Sequence, residues 1–140
     1  MQYHFKIHKE KGGYWAEGVE LKGCFSQGED IEELKTNLEE ALNLHLDEPE
    51  DSRMVFPLPK YRVRGKNIVR ISVDPQIALA MLLRMERLKR KMTQNDVAKK
   101  LGVPLYSYQK LERARTANPE WKTLVKLLRL FPTFNLKYAV

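Results

Sequence analysis

The sequence predicts an α+β chain: a strand–strand–strand–helix–strand domain over residues 1–73, followed by an all-α domain over residues 74–140 that closes on a C-terminal strand. Three observations predict it. Apolar and polar residues alternate around Tyr3, Phe5 and Ile7 and again over residues 68–73, the period of a half-buried strand. Apolar residues recur every three or four positions over 31–46 and over most of 75–131, the period of a helix. Charge is segregated along the chain. Residues 1–52 hold 5 Lys and Arg against 13 Asp and Glu, residues 53–73 hold 6 against none, and residues 74–140 hold 14 against 5.

The first strand is Tyr3, Phe5 and Ile7 set between Gln2, His4, Lys6 and His8, and Lys11-Gly12-Gly13 turns the chain back. Tyr14 to Leu21 forms the returning strand and Cys24-Phe25-Ser26 a short third one. Asp30 caps the next helix with Glu33 three residues on, and Ile31, Leu34, Leu38, Ala41, Leu42 and Leu46 form its apolar stripe until Pro49 ends it. Residues 49–66 contain Pro49, Pro57, Pro59 and Gly65 without periodicity and read as a connection. Ile68, Val69, Ile71 and Val73 form a fourth strand returning to the sheet. Asp74-Pro75 opens a helix over about 75–90 that buries Ile77, Ala78, Met81, Leu82, Met85 and Leu88 and ends in the dipole-complementing run Arg87-Leu88-Lys89-Arg90-Lys91. A last helix from Asn118-Pro119 buries Trp121, Leu124, Val125, Leu128 and Phe131. Phe134, Leu136, Tyr138 and Val140 alternate as the final strand, suited to pairing with a second copy.

The net charge is +7 over 140 residues. No window approaches the roughly 18 apolar residues of a membrane span, and Met1-Gln2-Tyr3-His4-Phe5 has no charged-then-apolar leader, so no membrane partner is expected. The lone Cys24 excludes an internal disulfide and fits a reducing cytoplasm, where it reads as a buried structural thiol. The basic body is suited to polyphosphate, and the acidic head to a basic protein.

The most informative stretch is Met92-Thr93-Gln94-Asn95-Asp96-Val97-Ala98-Lys99-Lys100-Leu101-Gly102-Val103, continuing from Pro104 to Glu112. Thr93 caps a short helix with Asp96, and Val97, Ala98 and Leu101 face inward. Gly102 supplies a left-handed turn, Pro104 starts a second helix, and Tyr108 and Leu111 point back into the core. This is the geometry of a helix-turn-helix. Over residues 75–132 the run Thr93-Gln94, Ala98, Leu101-Gly102-Val103 and Leu111-Glu112 resembles the Cro/λ-repressor-like DNA-binding domains. The resemblance places Gln94 on a phosphate and turns Leu105, Tyr106, Ser107, Gln109, Lys110 and Arg113 toward the major groove. Thr93, at the start of the preceding helix, joins them as a DNA-binding candidate. Lys110 and Arg113 suit phosphates, and Gln109 suits adenine. Leu105 and Tyr106 stand where that family has polar residues, and Arg113-Ala114 replaces its usual Asn-Gly.

In the head, Gly12-Gly13-Tyr14-Trp15-Ala16-Glu17 and Lys22-Gly23-Cys24-Phe25-Ser26-Gln27-Gly28, followed by the acidic helix, closely resemble the HicB family of antitoxins. The resemblance implies a partial ribonuclease H-like βββαβ fold without catalysis. It also implies a HicA-type, RNA-cleaving toxin as partner, whose catalytic histidine the antitoxin covers. Tyr14, Trp15, Glu17, Phe25, Gln27, Glu32 and Glu33 are the partner-binding candidates. Tyr14 and Trp15 alternate, so one faces the core and the other the surface.

Residue chemistry argues separately against hydrolysis, because a ribonuclease H site needs clustered carboxylates and the first strand has none. Glu17 and Glu20 read as solvated or partner-facing charges. His4 and His8 lie about 13 Å apart on a strand, too far for one ion, and read as solvent-facing. No catalytic residue, metal or cofactor is expected. The reading is a cytoplasmic antitoxin that neutralises a HicA-type toxin and, as a homodimer or higher homo-oligomer, represses its own operon by binding double-stranded operator DNA. The alternative is a stand-alone DNA-binding regulator whose head senses a small ligand.

Overall fold

A computed structural model describes all 140 residues. The chain divides into two compact units, Met1–Leu46 with Phe56–Asp74, and Asp47–Val55 with Pro75–Val140.

In the first unit, β1 (Gln2–Glu10), β2 (Gly13–Gly18), β3 (Phe25–Gly28) and β4 (Ile68–Ser72) form one antiparallel sheet in the order β3-β2-β1-β4. Gly12, at φ +96°, makes the β1–β2 turn. β2 ends at Gly18, short of Leu21, and β3 begins one residue after Cys24 and runs to Gly28. Helix α1 (Ile31–Leu46) lies across one face. Its Leu34, Leu38, Leu42 and Leu46 are buried, while Ile31 and Ala41 sit at the edges of the stripe. The helix approaches β3 so closely that a Cβ on Gly28 would stand 2.4 Å from the Leu34 backbone nitrogen. Its N-terminus is capped by Asp30 Oδ1, which accepts from Glu33 N (2.8 Å), while Glu33 Oε2 accepts from Glu29 N (2.7 Å).

Strand register assigns the two sheet faces. Gly28 pairs with Tyr14 and Ser26 with Ala16; Ala16 pairs with Ile7, and Tyr3 and Phe5 pair with Ile71 and Val69. That set faces α1 and includes the buried Tyr3, Phe5, Ala16 and Ile71. The opposite face carries Trp15, Glu17, Phe25, Gln27 and His8.

Two expectations fail here. His4 is not solvent-facing: it is buried, and its Nδ1 lies 2.7 Å from Glu20 Oε1. Glu20 is not a surface charge either. Its side chain is 2% exposed and accepts from His4 N (3.0 Å) and Lys60 N (3.0 Å).

In the second unit, α2 (Pro75–Lys89) is buried nearly all round: Leu79, Ala80, Leu83, Arg84 and Arg87 join the expected Ala78, Met81 and Leu82. Ile77, Met85 and Leu88 are half-buried. Around it stand α3 (Gln94–Leu101), α4 (Leu105–Gln109) and α5 (Trp121–Leu130).

Trp121 is a further correction, for it is 74% exposed. The inward line of α5 runs through Leu127 to Phe131, and Trp121, six residues before Leu127, lies roughly 120° round the helix from it. Leu124, Val125 and Leu128 are half-buried.

The C-terminal strand is absent. Leu136–Tyr138 forms a 3-10 turn, with Asn135 Oδ1 accepting from Lys137 N (3.0 Å) and Asn135 O accepting from Tyr138 N (3.2 Å). The asparagine draws these backbone groups into local bonds and takes them out of any ladder. No helix is long and apolar enough to cross a membrane.

The division of the chain also redraws the charge map. The acidic run Asp47, Glu48, Glu50 and Asp51 belongs to the second unit, and the basic run Lys60, Arg62, Arg64, Lys66 and Arg70 to the first. The first unit therefore holds 10 Lys and Arg against 10 Asp and Glu, and the second 15 against 8. The head is neutral in sum, and the acidic character read from residues 1–52 belongs to α1 and its flanks, not to the whole unit.

Candidate functional site

Helix α3 is closed at both ends by local chemistry. Thr93 Oγ1 accepts from Asp96 N (3.0 Å) and Asp96 Oδ2 accepts from Thr93 N (2.8 Å), a reciprocal capping box. The backbone and side-chain hydrogen bonds from Thr93 hold the Asp96 carboxyl below its ordinary value. Gly102, at φ +68°, ends the helix with its N–H directed at the carbonyls of Ala98 and Lys99. Pro104 then caps α4, one residue later than the sequence suggests. α4 itself is short: after Gln109 the backbone tightens into a 3-10 turn over Lys110–Glu112, and Arg113 is already extended at φ −103°.

Tyr108 and Leu111 point inward as expected. Leu105, Tyr106 and Ser107 form the open face of α4, with Tyr106 59% exposed and Lys110 Nζ 4.7 Å from its ring centroid. Thr93 is exposed, while Gln94, Gln109, Lys110 and Arg113 are half-buried.

These four are not equally free. Gln94 Oε1 accepts from Gln109 Nε2 (3.3 Å), and Gln94 Nε2 donates to Glu112 Oε2 (3.1 Å) and Glu50 O (3.4 Å). Arg113 is ion-paired: its Nε donates to Glu50 Oε2 (2.7 Å), and its Nη2 meets the same oxygen. Lys110 is in no ion pair.

Beneath this surface lies a charged cluster that the periodicity did not reveal. Glu112, wholly buried, accepts from Arg87 Nε (2.6 Å) and Nη2 (2.9 Å) and from Tyr108 OH (2.5 Å). Burial opposes the charge on Arg87, but Glu112 outweighs it and raises the guanidinium pKa. Burial, reinforced by Glu112, pushes the Tyr108 phenol far up. The sequence reads Arg87 as one of the cations that complement the dipole at the end of α2; in the fold, two residues before that end, its side chain is buried against Glu112. A signal existed in the spacing of Tyr108 and Glu112, four residues apart, which puts the glutamate on the same inward side as the tyrosine.

The partner-binding candidates separate into two sets. Trp15, Glu17, Phe25 and Gln27 share the sheet face that no helix covers. Trp15 stacks on His8 (centroids 4.2 Å apart, planes at 17°), Phe25 is 66% exposed, and a concavity of about 790 Å³ runs between them, also lined by Lys22 and Cys24. Tyr14, Glu32 and Glu33 lie on the helix side. Tyr14 is half-buried, Glu32 lies 3.6 Å from Lys35, and Glu33 is engaged in the cap of α1. Register thus decides between the two aromatics: Trp15 faces outward and Tyr14 faces α1. Cys24 is buried, with its thiol pushed up to about 11 by desolvation.

Residues 78–133 match the model of a helix-turn-helix domain family. A UPF0150 protein of Helicobacter pylori strain J99 is 42% identical over 50 residues, 36% of this chain and 69% of that relative. The chain belongs to the UPF0150 protein family and carries a helix-turn-helix domain of the DNA-binding kind.

Proposed function

We propose that the protein is the antitoxin of a type II toxin–antitoxin pair: its sheet domain binds and neutralises a HicA-type, mRNA-cleaving toxin, and its helix-turn-helix represses its own operon. The observation that carries the DNA half is the open face of α4, with Leu105, Tyr106 and Ser107 outward behind the left-handed turn at Gly102. Lys110 supplies a free cation at its edge. Membership of the UPF0150 family and the HicB-like Gly-Cys-Phe-Ser-Gln-Gly run support the toxin half.

On this reading the helix-free face of the sheet is the docking surface. Trp15 and Phe25 provide the large apolar anchors that carry binding energy, and Glu17 adds the charge that guides a basic partner. The head is a ribonuclease H-like remnant that binds without catalysing, and operator binding uses two or more copies of the chain. The protein works in the cytoplasm.

One experiment covers both halves. The protein is co-expressed with the small reading frame beside its gene, and growth and operator binding are measured for wild type, Trp15→Ala with Phe25→Ala, and Lys110→Ala. Loss of protection with the aromatic pair is expected, with DNA binding retained. Lys110→Ala is expected to weaken DNA binding and to lower the slope of log K against log salt by about 1. Full protection and an unchanged slope would refute the assignment.

A further inference from the structure

The acidic run Asp47, Glu48, Glu50 and Asp51 lies in the unit that carries the DNA-binding surface, and it contributes four of that unit's 8 carboxylates. It is held there by Arg84 and through Glu50, and it is closed by a turn of its own. Arg84, fully buried in α2, donates from Nη2 to Glu48 O (3.3 Å) and to Glu112 O (3.2 Å). Ser52 closes a turn, its N–H on Pro49 O (3.0 Å) and its Oγ on Glu48 Oε2 (2.6 Å). Glu50 then reaches the rim of the recognition surface, where its carboxylate takes Arg113 Nε and Nη2 and its carbonyl takes Gln94 Nε2.

Two of the side chains that face DNA are therefore satisfied from within. The two Arg113 donors that Glu50 occupies belong to the planar fork that matches a phosphate. A phosphate brought to that fork meets the carboxylate of Glu50.

We propose that residues 47–51 are an intramolecular stand-in for a DNA phosphate, with Glu50 seated in the fork of Arg113, so that duplex DNA engages Arg113 and Gln94 only as this segment lifts away. The inference rests on the DNA-binding reading above and adds to it a residue that sets affinity. Asp47 directly follows the last residue of α1.

The test uses the full chain and two probes, a duplex spanning the region upstream of its own gene and a random-sequence duplex of equal length. Wild type, Glu50→Gln, Arg113→Ala and the double variant are titrated at low and at physiological salt, with thermal melts to establish folding. Glu50→Gln is expected to tighten binding about three- to tenfold on both probes, because the contact is to backbone and not to bases, and the gain is expected to shrink as salt rises. In the Arg113→Ala background the gain is expected to vanish.

Equal affinity of Glu50→Gln and wild type, or weaker binding by the variant, would overturn the inference while leaving DNA binding intact. Weaker binding would mean that Glu50 presents Arg113 to DNA. A gain that persists without Arg113 would reduce it to a general charge effect and overturn it too. Failure of both wild type and Glu50→Gln to bind either duplex would overturn the DNA-binding reading and this inference together.

Discussion

Each unit is organised around one carboxylate closed off from water, Glu20 in the first and Glu112 in the second, with side-chain exposures of 2% and 0%. Their partners differ in kind. Glu20 accepts from two backbone N–H groups, His4 N and Lys60 N, and from the His4 ring, so it ties a strand to a distant loop. Glu112 accepts only from side chains, those of Arg87, Tyr108 and Gln94, drawn from three helices. One carboxylate fixes the path of the chain. The other fixes the side chains that support the proposed DNA surface, with its charge matched by a cation. The comparison teaches that burial alone does not define the role of a polar group; its donors do.

The largest break in this comparison is expected at Glu112. Glu112→Ala leaves the Arg87 guanidinium in the core without a counter-charge, at a cost of about 3–5 kcal/mol. Chemical denaturation is expected to show this loss, together with failure of DNA binding. Arg87→Met with Glu112→Leu removes the orphaned charge, so the double variant is expected to recover much of the stability. A double variant as unstable as Glu112→Ala would mean that packing, and not the uncompensated charge, governs the site.

The two carboxylates also show what periodicity conveys and what it does not. The four strands, α1 and the Thr93–Gly102 helix and turn were legible because each rests on local chemistry: alternation, a cap, a stripe, a glycine at positive φ. Glu20 and Glu112 were not, because their donors lie 16 to 40 and 4 to 25 residues away in sequence. The pairing of Arg87 with Glu112 was hidden for the same reason. Trp121 erred in the other direction: its apolar bulk suggests core, but helical phase carries it outward. Of the residues proposed to face DNA, Gln94, Gln109 and Arg113 are joined in space through hydrogen bonds and Glu50. That two of them are occupied by an acidic segment more than 40 residues upstream follows from tertiary structure alone.

Glu20 offers a smaller and pH-dependent break. Burial by itself raises its pKa, but the hydrogen bonds from the His4 ring, His4 N and Lys60 N outweigh burial and set it below the ordinary 4.5. A carboxylate whose folded pKa is depressed stabilises the fold fully above its unfolded pKa and loses that contribution as pH falls through the folded value. Glu20→Gln is therefore expected to cost about 2 kcal/mol at neutral pH, through charged hydrogen bonds replaced by weaker ones. The difference from wild type is expected to close as the pH drops below 4.5. Urea melts of both proteins across that range provide the measurement, and a difference that stays constant with pH would show that the ionised form of Glu20 is not what holds Lys60 in place.

The smallest expected effect lies at the surface between these extremes, at Thr93. Its hydroxyl satisfies one N–H at the start of α3, and Asp96 returns the bond, but both groups are exposed, so water replaces much of what is lost. Thr93→Ala is expected to cost about 1 kcal/mol, and Thr93→Ser to restore nearly all of it, because serine keeps the accepting oxygen. The pair separates two roles assigned to this position. If Thr93 only caps the helix, the serine variant binds DNA as wild type does, and the alanine variant loses affinity in step with its loss of helix order. If its methyl group also touches the duplex, the serine variant binds less well at unchanged stability. Equal stability of all three proteins would remove the cap from the account of how α3 is held against α4.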